Sequence, residues 1–305
     1  KYANLSFLKE CESFSQENSP HILSYDKTER RLKLTLGSHF SQDIVTKGEL
    51  PQGVELIFVD GSQKNHFRRM QQTIENSWKY KNYFSNLSYA FGKNNLLLSL
   101  TDKWPSDIIL EVVVAAPKPG VNLEAWQAHL SMYCDNNANV KIIESYELKE
   151  NYFSNTGVDY LLATNAHVEI LKTESGLGRG CHTGRFSLQK DATASLTTLT
   201  QNCQWSRHNM YAELTEPGSE MNLRAAYLTT EKQFMDHHTI VDHQVEHTTS
   251  TQTYNGILSG HSEAVFNRQA NILRYAQKSS SAQLNPNLLL SETANINTNP
   301  ELQIS

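Results

Sequence analysis

The densest set of chemistry-bearing side chains in this 305-residue sequence lies within twelve residues. Asp236-His237-His238-Thr239, Asp242-His243 and Glu246-His247 bring together four imidazoles and three carboxylates. Imidazole with carboxylate is a ligand set suited to zinc or iron. In one unbroken strand His237, His243 and His247 share a face, because their separations are even. A flat strand holds His237 and His243 about 20 Å apart, so a single ion requires the chain to fold back between them. The alternative is a polar ladder, hydrogen-bonded along stacked strands.

Two thiols sit in suggestive surroundings. Cys181-His182 lies in Gly176-Leu177-Gly178-Arg179-Gly180-Cys181-His182-Thr183-Gly184-Arg185, where four glycines and two arginines suit a loop whose amides contact a phosphate or a cluster. The Walker Lys-Ser/Thr ending is missing, so a flexible surface turn is the expectation. Cys203, in Gln201-Asn202-Cys203-Gln204-Trp205, has His208 close in sequence as a base for a thiol nucleophile. Closeness along a strand is not contact, and the expectation is an ordinary strand cysteine. Gly-x-Ser-x-Gly, His-Glu-x-x-His and dinucleotide fingerprints are absent from the sequence. The expectation is therefore a protein that is not an enzyme, with no catalytic residue and no resident metal. Cofactor-binding residues are left unassigned.

Composition narrows the class. A net charge of −5 with 19% charged residues lacks the basic excess of a nucleic-acid binder. No apolar run reaches the roughly 20 residues that span a bilayer, so no membrane partner is expected. Cys11, Cys134, Cys181 and Cys203 are too scattered for a zinc knuckle or redox dithiol. They read as reduced thiols in a cytoplasmic protein.

The elements that must position these groups fall into two regions, expected at 1–86 and 87–305. The first is mixed α/β. It has a short helix at Asn4 to Phe14, strands at Arg31 to Leu36 and Val54 to Val59, and a helix over Asn65 to Asn86 spaced through Phe67, Met70, Ile74, Trp78 and Tyr83. The second is a succession of strands: Leu96 to Leu100, Ile108 to Ala115, Val140 to Tyr146, Asp159 to Ala163 and His167 to Leu171. Its one helical candidate is at Leu123 to His129. A compact residue after a polar turn recurs at Ala138, Ala166, Ala194, Met221, Ala264 and Ala294, at intervals of 28, 28, 27, 43 and 30 residues. A fixed interval in an all-strand segment suggests a β-solenoid, one coil per repeat, with Val140, Ile142, Val168 and Ile170 facing inward. A β-sandwich is the alternative. The interval of 43 hides either an extra coil or an insertion.

The second half resembles the SufB/SufD family of iron–sulfur cluster assembly scaffold proteins, most closely from Thr164 to Ser305. The resemblance rests on Asn165-Ala166-His167, Asp191-Ala192-Thr193-Ala194, Asp236-His237-His238-Thr239, Tyr254-Asn255-Gly256-Ile257-Leu258, Ala264-Val265-Phe266-Asn267, Asn287-Leu288-Leu289-Leu290-Ser291 and Pro300-Glu301-Leu302-Gln303-Ile304, in that order. Ala212-Glu213-Leu214 and Ala226-Tyr227-Leu228 are similar to the SufD branch, and the acceptor cysteine in a Trp-rich stretch of the SufB branch has no match beyond Cys203 beside Trp205.

The resemblance implies a right-handed parallel β-helix and a non-catalytic subunit of the SUF assembly complex. It implies a SufB-like partner at the far end of the helix and a SufC-like ATPase docking on terminal helices. No cofactor is expected to be held firmly. A transient Fe–S cluster at the SufB–SufD interface and ATP bound only through SufC are what the family implies. The family's Cys-x-His run and terminal helices follow the strand that ends at Ile304, beyond Ser305, so those roles are assigned to no residue. A homodimer of the isolated subunit is a further expectation. The competing class is a β-helix module that binds or degrades polysaccharide through an acidic, calcium-bearing groove, which the scattered carboxylates do not favour.

Overall fold

The computed structural model describes residues 13–14, 20–36, 44–59, 84, 95–115 and 123–304. The elements among them are strands. In chain order they are β1 (Ser13–Phe14), β2 (His21–Asp26), β3 (Arg31–Leu36), β4 (Ile44–Lys47), β5 (Val54–Val59), β6 (Asn95–Leu100), β7 (Ile109–Ala115), β8 (Glu124–Cys134), β9 (Asn139–Glu147), β10 (Tyr152–Leu162) and β11 (His167–Ser175). They continue with β12 (Arg179–Leu188), β13 (Thr193–Gln201), β14 (Trp205–Leu214), β15 (Glu220–Thr229), β16 (Phe234–His243), β17 (Thr249–Leu258), β18 (Glu263–Ile272), β19 (Ser280–Leu284), β20 (Asn287–Leu289) and β21 (Asn295–Ile304).

Even-numbered strands from β6 to β18, with β5 and β21 at the ends, form one sheet. Odd-numbered strands from β7 to β19, with β3, β2 and β4, form the other. Pairing is parallel apart from β2 with β3 and β5 with β6. The chain therefore alternates between two sheets and climbs one strand spacing per circuit. The result is the expected parallel β-helix, with six two-stranded coils from β8–β9 to β18–β19. A sandwich of antiparallel hairpins is excluded.

The turn before each strand of the second sheet explains the repeat. Asn137, Asn165, Asp191, Gly218, His247 and Lys278, each two residues before a strand, all have positive φ. Asn, Asp and Gly adopt that region most readily. The small residue that follows is buried in the coil corner, as at Ala138, Ala166 and Ala192. Beyond it the strands alternate, and Val140, Ile142, Val168 and Ile170 lie in the core as expected. The interval of 43 is neither an extra coil nor an insertion. Met221 in β15 pairs with Ser250 in β17, a regular step, and Ala264 starts β18 on the opposite sheet.

Two expectations need correction. Leu123 to His129 is not a helix: Glu124–Cys134 is strand β8, buried along almost its whole length. Its outward side chains are covered as well, so the alternation that marks a half-exposed strand is absent. Neighbouring Asn155 shows what covers this face, because its Nδ2 donates to the Phe84 carbonyl at 2.9 Å and to Gln127 Oε1 at 2.6 Å. The helix expected at Asn4 to Phe14 falls largely outside the described residues. Within it, Ser13 and Phe14 form β1 against β8. The helix expected over Asn65 to Asn86 also lies outside the described residues, Phe84 apart.

Candidate functional site

Coils stacked in register place every inward residue directly above its counterpart in the next coil. His182 in β12, His208 in β14 and His237 in β16 form such a row. Their rings stack at 5.2 Å and 5.0 Å between centroids. Facing them from the second sheet is Glu174 of β11, which is buried. Its Oε1 accepts from His182 Nε2 at 2.6 Å and its Oε2 from His208 Nε2 at 2.8 Å. Ser206 donates to the same Oε2 at 2.6 Å.

A second buried pair adjoins this hub. Lys172 Nζ lies 3.7 Å from Glu144 Oε2 and 4.3 Å from the centre of the Tyr146 ring, while the Tyr146 hydroxyl donates to Glu144 at 2.8 Å. Gly180 is required here. A methyl group on it would overlap Glu174 Oε1 and come within 2.8 Å of His182 Nε2. Aromatic rings complete the surround: Tyr146 on His182 at 4.3 Å, and Tyr227 and Tyr254 on His237 at 5.2 and 5.1 Å.

Burial and the carboxylate set the charges. Burial alone would raise the Glu174 pKa, but the imidazoles on both oxygens outweigh it and hold the carboxyl well below its ordinary range. Burial lowers His182 to about 4, against the opposing pull of Glu174. It pushes His237 well down too, helped by His208. At neutral pH the hub is an ionised carboxylate accepting N–H from a neutral His182. That imidazole carries its proton on Nε2, and its Nδ1 accepts from Thr156 at 2.6 Å. The arrangement can hold a proton between carboxylate and imidazole, and the Ser206 hydroxyl also lies 3.1 Å from His208 Nε2. Burial raises Cys134 and Cys181 to about 12 and Cys203 further still. Thiols so raised stay protonated and inert.

The histidine-rich run divides among several surroundings. His237 and His243 face inward, and His243 bonds Thr248 at 2.7 Å and Ser250 at 2.9 Å. His238 faces outward, 2.8 Å from Asp236 Oδ1. His247 lies beyond the end of β16, in the turn with φ 59°, so the unbroken strand assumed for it does not exist. Among the described residues no group of three or more His, Cys, Asp or Glu side chains is placed to hold a metal ion. Cys181-His182 is not in a surface turn. Both residues are buried inside β12, and only Gly176 to Gly178 forms the bend. Cys203 and His208 form no dyad, since Cys203 Sγ donates to the Gln201 carbonyl at 3.3 Å and His208 is engaged by Glu174.

Residues 117–305, well over half of the chain, match the family described as SUF system FeS cluster assembly, SufBD core domain. The iron-sulfur cluster assembly SufBD family protein slr0076 of Synechocystis sp. (strain PCC 6803) is 29% identical over 191 residues, 59% of this chain and 42% of its own length. Iron-sulfur cluster assembly protein SufD of Escherichia coli K12 is 24% identical over 201 residues, 65% and 47% of the two chains. The chloroplastic protein ABCI7 of Arabidopsis thaliana is 24% identical over 173 residues, 54% and 36%. The chain thus spans less than half the length of each of these relatives. On the strength of the core-domain match, which runs along the β-helix itself, the chain belongs to the SufBD family of iron–sulfur cluster assembly proteins.

Proposed function

We propose that this chain is part of a SufD-like, non-catalytic scaffold subunit of a SUF complex, working in the cytoplasm beside a SufB-like subunit and a SufC-like ATPase. The SufBD core match along the β-helix carries this reading. Likeness to a relative named SufD adds to it. The chemistry of the interior agrees, because the three described thiols are protonated and the buried Glu174 carboxylate is saturated with donors. A subunit that accepts sulfur on one of these cysteines would need a thiolate. In this reading the SufB-like partner lies toward the β21 end, as the family resemblance implies, and ATP acts only through the SufC-like subunit. The test is co-expression of the full-length protein with SufB-like and SufC-like partners, capture on this subunit and native mass measurement. A stoichiometric three-component complex is expected. A folded subunit recovered alone, at concentrations where the partners themselves associate, would contradict the proposal.

A further inference from the structure

Buried polar groups in folded proteins are nearly always hydrogen-bonded, so donors without partners that gather in one place point to a ligand. Such a group lies in the coils after His237. The inward row of the first sheet runs in register through Thr239, Arg268 and Pro300. That of the second runs through Gln252 and Gln283. Thr239 Oγ1 donates to Gln252 Oε1 across the interior, so the two rows face each other and the next coil sets Arg268 opposite Gln283. Arg268 Nε and Nη1, Gln252 Nε2, Gln283 Nε2 and, two residues further on, Asn285 Nδ2 are all buried without a hydrogen-bond partner. The Arg268 guanidinium carbon lies over the Phe266 ring, 5.3 Å from its centre, within cation–π range. Its counterpart in the next coil, Pro300, offers no side-chain acceptor.

We propose that Arg268, Gln252, Gln283 and Asn285 form a binding site for a small oxyanion of the phosphate, sulfate or carboxylate class. Every unpartnered atom in the group is an N–H donor, and two of them belong to one permanent cation. A guanidinium is the side chain best suited to oxyanions. Two of the Arg268 N–H groups are buried without an acceptor, so an anion that accepts from them stabilises these coils. Arg268, Gln283 and Asn285 are half-buried. The bound ion would brace the coils after His237. This site stands apart from the scaffold reading and does not depend on it.

The test is thermal unfolding of the full-length protein in rising inorganic phosphate, with sodium chloride at matched ionic strength and sodium acetate as a planar carboxylate. Phosphate or acetate is expected to raise Tm saturably, by about 5 °C at a hundredfold excess over Kd, and the stronger of the two identifies the ligand geometry. Arg268→Gln is expected to lose the response, and Gln283→Leu, which keeps the charge, to weaken Kd about tenfold. An equal response in wild type and both variants would mean an adventitious ion only and would overturn the proposal. So would the absence of a saturable response in the wild-type protein.

Discussion

The later coils of the solenoid interior add to an aliphatic core a set of buried polar groups that the first coils lack. In the early coils the inward residues are aliphatic: Leu32, Leu34, Leu96, Leu98, Leu100, Leu110, Val112 and Leu130 are buried together. From β11 onward aliphatic residues such as Val168, Ile170, Leu196 and Leu223 stay in the core, but other inward positions carry Lys172, Glu174, His182, His208, His237 and Gln252, all buried. An aliphatic interior is held by area removed from water, which has no direction and tolerates small shifts. The polar groups depend on geometry, as Glu174 does on His182, His208 and Ser206. A one-residue slip of β14 against β12 would turn His208 outward and leave Glu174 Oε2 short of a donor. The difference shows how a solenoid with a uniform backbone can still fix the register of particular coils.

Three substitutions would break or sharpen this contrast, in order of decreasing effect. Glu174→Ala leaves His182, His208 and Ser206 buried without their acceptor. A loss of about 3–5 kcal/mol in urea unfolding is expected, and a loss below 1 kcal/mol would show that the hub contributes little. Leu98→Ala, at a side chain with no exposed surface, opens a cavity in the first coils, with an expected loss of about 3 kcal/mol. Its effect should add to that of Glu174→Ala, since the sites share no partner. Strong coupling between the two would mean that the early and later coils are not separate. His237→Phe is expected to change stability by less than about 1 kcal/mol, because His237 Nε2 has no partner and the ring sits among Tyr227, Tyr254 and Phe266. A large loss would mean that the third histidine of the row makes a bond as the first two do.

The sequence revealed the second sheet far better than the first. In β9 and β11 an inward aliphatic alternates with an outward polar residue, and Val140, Ile142, Val168 and Ile170 could be placed from that alternation alone. Along β8, β10 and β12 of the first sheet both faces are covered. Strand β8 lost its alternation and read as helix, and the glycines of β12 read as loop although Gly180 is there to make room for Glu174 and His182. Histidines adjacent in sequence do not reveal the hub, because neighbours along a strand point to different surroundings. The informative signal was longer: His182, His208 and His237 recur at the coil interval, and residues one coil apart are neighbours in space. Glu174 had no such signal, since its role depends on which strand faces β12 across the interior.

The most direct test of this account is the charge state of the buried histidines, followed by NMR of the ¹⁵N-histidine-labelled protein across a pH titration. His182 should remain neutral, protonated on Nε2, until the pH approaches about 4, with His243 also held down to about 4. Both values lie below the ordinary 6.5, so the unfolded chain takes up more protons between the two limits. Stability from this source is therefore complete above pH 6.5 and is lost as the pH falls toward 4. The account predicts that Tm declines from about pH 6.5 toward 4 while the neutral His182 signal of the folded protein persists, and that this signal is lost only as the pH reaches about 4. An imidazolium already present at neutral pH, or a His182 titrating at 6.5 with no change in Tm, would contradict it.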